Sequence, residues 1–104
     1  MHVSFPVWFI WESVRSGVRS PAKSFRDGKW CLAVFNDYGV ELNFRVTEGF
    51  ENDVPDKREE FSPTLLRPYL NGISYGYVVV NPCSQSEAIY SASELRDYVD
   101  SLGD

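Results

Sequence analysis

Tyr75-Gly76-Tyr77-Val78-Val79-Val80-Asn81-Pro82 is the stretch whose reading decides the fold. Three successive valines beside tyrosines favour an extended chain, because branching at Cβ restricts χ1 in a helix and packs well on a pleated surface. Residues 75–80 therefore read as the clearest strand in the chain. Asn81-Pro82 stops it: proline has no N–H to give a ladder, the residue before it is biased to extended geometry, and the Asn81 amide can tie down turn backbone.

Downstream, Ala88-Ile89-Tyr90 reads as a short edge strand. Ser91-Ala92-Ser93-Glu94 has capping-box spacing, and Leu95, Tyr98, Val99 and Leu102 recur at i, i+3, i+4 and i+7, ahead of Gly103. That is an amphipathic C-terminal helix with one face for a sheet. Upstream, Ser62-Pro63 supplies an N-cap and a first-turn proline for a short helix through Leu65 and Leu66. Pro68 limits or kinks this helix, and Asn71-Gly72 ends it. Charged residues from Glu48 to Glu60, with Gly49 and Pro55, read as an exposed loop.

Nearer the N-terminus, Asp27-Gly28 signals a turn before the strand Lys29-Trp30-Cys31-Leu32-Ala33-Val34-Phe35. Phe5-Pro6-Val7-Trp8-Phe9-Ile10-Trp11 suits another strand, apolar enough to be buried on both faces, with Pro6 at its start or on an edge. Between them, Ser13 to Asp27 contain Gly17, Pro21 and four serines without steady periodicity, so 13–28 read as an exposed loop. Residues 37–47 are ambiguous. Val40, Leu42, Phe44 and Val46 alternate with polar residues as in a half-buried hairpin strand, yet Asp37 can equally cap a helix.

The expected fold is therefore α+β or α/β. It is a single small domain over 1–104 with a mixed sheet of about four or five strands, two or three helices, and the C-terminal helix packed on the sheet. A chain of 104 residues, 43% hydrophobic and 15% aromatic, has the material for one core and argues against disorder. The net charge of −5 is uneven. Residues 1–30 carry Arg15, Arg19, Lys23, Arg26 and Lys29 against Glu12 and Asp27, a net +3, and the remainder carries −8. An acidic surface repels phosphate backbones, so nucleic-acid binding is disfavoured. The basic residues at 15–29 read as a solvated loop or, alternatively, as an anion- or partner-binding arm. No run approaches the length of a membrane span and no signal-peptide pattern opens the chain, which points to the cytoplasm.

Catalytic candidates are sparse. The sole histidine, His2, stands next to a terminus, a poor place for a general base. Cys31 and Cys83 lie 52 positions apart, too few for a disulfide framework and without the C-x-x-C spacing of metal sites. No phosphate-cradling glycine motif is present. Glu59-Glu60 and Asp97/Asp100 read as solvated charge. Cys83 follows the end of the strongest strand, where ligand sites gather in open α/β sheets. Its thiol would need a cation nearby to become reactive, and the sequence offers no obvious one.

Two strand ends carry a family resemblance. Leu32-Ala33-Val34-Phe35-Asn36-Asp37, with Phe44 nine residues after Phe35, and Gly76-Tyr77-Val78-Val79-Val80-Asn81-Pro82, followed by a polar turn, Ile89-Tyr90 and Glu94-Leu95, together resemble the N-terminal domain of the SseB (enhanced serine sensitivity) family. The resemblance covers roughly residues 29–102. It departs at Asn36, where threonine is usual, and at Cys83, where glycine is usual. It implies a helix from about Asp37 to Thr47, fitted without a gap as far as Phe44, and no established chemistry.

If the strands ending at Phe35 and Val80 are neighbours, Asn36, Asp37, Asn81 and Cys83 meet at one sheet end and form a candidate binding surface. Trp30 and Tyr77 are candidate aromatics for it. Tyr38, Tyr69 and Tyr75 join them wherever they are exposed. The leading expectation is a non-catalytic protein-interaction or accessory module that needs no cofactor or metal, acts on a protein partner, and is a monomer or weak homodimer. The alternatives are a small-molecule-binding domain with an aromatic pocket near Trp11, Trp30 and Asn81, an acidic inhibitor or immunity protein, and a thiol enzyme acting through Cys83.

Overall fold

Parallel pairing between the two apolar strands forms the centre of the sheet, and each outer strand is added antiparallel. In this computed structural model the described residues are 2–13, 19–49, 59–72 and 76–102. Along the chain they form β1 (Trp11–Ser13), β2 (Arg19–Pro21), β3 (Lys23–Arg26), β4 (Lys29–Val34), α1 (Tyr38–Glu48), α2 (Pro63–Gly72), β5 (Tyr77–Val80), β6 (Ala88–Ser91) and α3 (Ala92–Leu102). The main sheet runs β3-β4-β5-β6, with β4 parallel to β5 in the register Cys31↔Tyr77 to Val34↔Val80. A separate two-stranded ribbon pairs β1 with β2. The fold is α+β with a mixed sheet, as expected.

Side-chain alternation sends each central strand to two cores. On one face Leu32, Val34, Val78 and Val80 pack with Leu66 and Leu70 of α2 and Leu95 and Val99 of α3. On the other, Cys31, Ala33 and Val79 meet Phe44 of α1 together with Trp8 and Ile10. Helices thus cover both faces, which is why the valine run lacks the alternation of a half-wet strand. The capping box of α3 forms as its sequence predicts: Glu94 N–H donates to Ser91 Oγ at 3.0 Å and Ser91 N–H to Glu94 Oε1 at 3.3 Å. Ser62 opens α2, Pro68 lies inside it, and Gly72 is its last residue. Among the described residues, no helix is long and apolar enough to cross a membrane.

The ambiguous segment is a helix. Asp37 Oδ1 accepts from the N–H groups of Gly39 at 2.8 Å and Val40 at 3.2 Å, capping α1, and Gly49 closes it at φ 84°. The alternating pattern misleads because Leu42 and Val46 face water, while Glu41 and Arg45 are buried beside Phe44. Glu41 receives the Trp8 indole N–H at 2.7 Å and is paired with Arg45. Two polar residues on the helix's inner face thus hide the 3.6-residue period.

Three expectations need correction. Residues 13–28 are not simply an exposed loop: β2 and β3 occupy 19–26, with Ala22 and Ser24 buried. Residues 14–18 lie outside the described set. Phe5 to Trp11 do not form a regular strand. Val7 to Ile10 are all buried, but two isolated bridges hold the segment, Val7 to Phe61 and Trp8 to Phe35, and it enters β1 only at Trp11. β5 begins at Tyr77, after Gly76 at φ 77°, and Tyr75 falls outside the described residues. Most of the loop expected over 48–60 does so too, at residues 50–58.

Candidate functional site

Because β4 and β5 are parallel neighbours, their C-terminal ends emerge together, and the two polar turns meet. Asn36 N–H donates to Asn81 Oδ1 at 3.1 Å, and Asn81 Nδ2 donates to Asn36 Oδ1 at 2.7 Å. Asn36 Nδ2 also reaches the Ser4 carbonyl at 3.0 Å. These amides bond one another and the backbone of the N-terminal segment, and Asp37 Oδ1 caps α1. Asn81 is not extended before Pro82. It sits at φ 51°, where Asn is among the few non-glycine residues tolerated. Its carbonyl accepts from Ser84 Oγ at 2.6 Å, which fixes the turn from the other side.

Cys83 has the cationic neighbour that the sequence does not reveal. Arg26 Nη2 lies 3.1 Å from Cys83 Sγ, and Arg26 Nε donates to Glu87 Oε1 at 3.2 Å. That same carboxylate oxygen accepts the Cys83 N–H at 2.8 Å. Cys83 is half-buried, at φ 64°, with its carbonyl bonded to Asn43 Nδ2 at 3.1 Å. Arg26 belongs to β3, inside the segment expected to be a loop, so its approach to residue 83 depends on strand pairing that no local signal announces. Cys31 is fully buried in β4, and burial pushes its thiol pKa up. Both thiols are free.

Trp30 and Tyr77 lie on opposite faces of the sheet, at the end nearest the β3–β4 hairpin. That hairpin turns through Asp27-Gly28, both at positive φ (52° and 75°), with Arg26 paired to Lys29. This is the two-residue geometry that suits the right-handed strand twist. Its register sets Phe25 directly opposite Trp30. Their rings meet edge to face, with centroids 5.2 Å apart, and both stay in water, Phe25 53% and Trp30 47% exposed. Lys23 Nζ stands 5.0 Å from the centre of the Trp30 ring. On the opposite face Lys29 Nζ stands 5.0 Å from that of Tyr77, which is half-buried.

Phe25 is the surface residue that the sequence reading missed. Asp27-Gly28 was its available signal, because a two-residue turn implies a strand on both sides. Of the other candidate aromatics, Tyr38 is exposed and stacks on Trp8 at 4.5 Å, and Tyr69 is half-buried in a ring cluster with Phe9, Trp11 and Phe61. Trp11 packs with Phe9 and Tyr69, Trp30 with Phe25, and Asn81 bonds Asn36. Among the described residues no group of three His, Cys, Asp or Glu is arranged to hold a metal.

No family model matches this chain, and no curated protein matches it at a significant level.

Proposed function

We propose that this chain is a non-catalytic protein-interaction module of the cytoplasm that docks through the Phe25–Trp30 face of its β3–β4 hairpin. The observation that carries the reading is the pair of adjacent large aromatics left in water on a short, well-specified turn. Trp is among the residues most enriched at binding hot spots, and a rigid hairpin presents it with little entropy left to lose. The candidate polar residues support the same reading from the other direction. Asn36 and Asn81 are occupied in ending their strands, and Asp37 Oδ1 in capping α1. The strand-end motifs that resemble the SseB family add support of the same kind, since they imply no chemistry.

Affinity capture with the whole chain tests the reading, run in parallel with a Phe25→Ser/Trp30→Ser variant. Both positions are exposed, so the variant should remain folded, as circular dichroism will verify. The expected result is a stoichiometric protein partner recovered by the native chain and lost with the variant. Equal recovery by both, or recovery of a small molecule in place of a protein, would count against the proposal.

A further inference from the structure

Helix α1 carries apolar side chains on two sides. Phe44 packs on the sheet, while Tyr38, Leu42 and Val46, spaced i, i+4 and i+8, run in one row along the outer side. These three are 47%, 44% and 67% exposed. Tyr38 stacks on Trp8 and gives its hydroxyl to Glu60 at 3.0 Å, which fixes the head of the row. A surface helix ordinarily turns its charges to water on this side. Here the only charges from Tyr38 to Thr47 are Glu41 and Arg45, and both are buried.

The neighbouring row is low. Gly39, Asn43 and Thr47 each follow a member of the first row by one residue, and all three are exposed. A ridge of large side chains therefore runs beside a furrow of small ones, both in the i±4 direction. Two such helices can each lay the ridge in the other's furrow, the packing that crosses helix axes at about 50°. A two-fold contact needs a patch complementary to itself, and a ridge beside a furrow is one.

Charge selects the same occupant. Two copies of a chain of net charge −5 repel one another over most of their surface, so they approach most easily through an uncharged face. A crossing of about 50° centred on Leu42 splays apart the helix ends, where Asp37 and Glu48 lie. A basic partner would find no carboxylate on this face, and an anionic lipid surface would find no lysine or arginine. One helix face is smaller than the roughly 1,200–2,000 Å² of stable interfaces, so the contact is weak and reversible.

We propose that a second copy of this chain packs against the outer face of α1 about a two-fold axis. Tyr38, Leu42 and Val46 of each copy then lie along the Gly39–Asn43–Thr47 row of the other. Trp30 lies on the sheet face opposite α1, so this association is independent of the docking reading above and leaves both hairpins open.

Sedimentation equilibrium of the whole chain, from about 20 μM to about 1 mM, is the test, and a monomer–dimer equilibrium with Kd on the order of 100 μM is expected. Raising salt from about 20 mM to about 300 mM should lower Kd about threefold, because screening relieves repulsion between like-charged copies. Leu42→Glu/Val46→Glu replaces two exposed side chains, and circular dichroism will verify its fold. It should raise Kd by at least about tenfold. Thr47→Leu fills the furrow and should weaken the dimer about threefold. General stickiness would be strengthened by that change, and a tighter dimer would overturn the proposal. A chain still monomeric at the highest concentration would do the same. If its captured protein partner were then lost with Leu42→Glu/Val46→Glu, the face would belong to a different protein. A dimer lost with Phe25→Ser/Trp30→Ser would place the contact at the hairpin and sink the α1 interface. A dimer that survives that change while the captured partner does not would support both readings separately.

Discussion

Asn36 and Asn81 lock the ends of two parallel strands by exchanging hydrogen bonds, each giving one and taking one. Asn81 is 6% exposed and holds a left-handed backbone, so its side chain and its conformation serve the same junction. The pair also fastens the N-terminal segment, through Asn36 to the Ser4 carbonyl.

Asn81→Ala should therefore cost more than a lost hydrogen bond. It removes both amide contacts to Asn36 and forces alanine into the left-handed region, about 2–4 kcal/mol in all. Asn81→Gly loses the same contacts without the conformational term and should be milder by about 1 kcal/mol. Urea denaturation of the three proteins measures both differences. Equal costs for Ala and Gly would mean that the backbone conformation contributes nothing.

Glu41 and Arg45 form an ion pair inside the core, with side chains 0% and 3% exposed and the Trp8 indole bonded to Glu41. Glu41→Gln weakens the charge-assisted hydrogen bonds that Arg45 and the Trp8 indole give to this buried carboxylate, and should cost about 1–3 kcal/mol. The double variant Glu41→Gln/Arg45→Met keeps an acceptor for Trp8 and removes both charges. Melted alongside both single variants, it should cost less than the sum of the two, and costs that simply add would show that the charges do not interact.

These two cases also mark what could be read in the chain. The Asn81-Pro82 stop, the Ser91–Glu94 capping box, the Ser62-Pro63 helix start and the Asp27-Gly28 turn are local signals, and each lies where its residues place it. The inner face of α1 was obscured because Glu41 and Arg45 satisfy one another there, and hydropathy cannot register a pairing. β2 and β3 were hidden in a serine-rich, basic stretch. Their strands exist through pairing with β1 and β4 rather than through their own propensity. The meeting of Asn36 with Asn81 was anticipated from the two strand ends. That of Arg26 with Cys83 spans 57 positions and follows only from the sheet order.

Helices α2 and α3 are joined at their surface by Arg67 and Asp100, Nε to Oδ1 at 2.6 Å and Nη2 to Oδ2 at 3.1 Å. Hydrogen bonding from Arg67 holds the Asp100 carboxyl below the usual carboxylate range. A carboxyl lowered in the folded state stabilises that state above its unfolded pKa and loses the effect as pH falls through its folded pKa. Arg67→Gln should raise the Asp100 pKa, read by carbon NMR, and should destabilise slightly at neutral pH and not at all in strong acid. Both groups are well exposed, so salt should shrink the difference. An unchanged Asp100 titration in the variant would show that the two side chains do not interact in solution.

The two thiols should separate cleanly by reactivity. Cys31 has no exposed surface, and its burial keeps the thiol protonated to higher pH, so two effects act together against reaction. Cys83 is half-buried at a turn and touches an arginine. A disulfide reagent added to the native chain should titrate one thiol quickly. The second should react more slowly by roughly a thousandfold or more, because it must wait for the core to open, and denaturant should abolish the delay. Cys83→Ser should erase the fast phase and leave the slow one, while Cys31→Ser should do the reverse. Two fast thiols in the native protein would mean that β4 is not the covered central strand, and with it would fall the parallel pairing that brings Asn36 to Asn81.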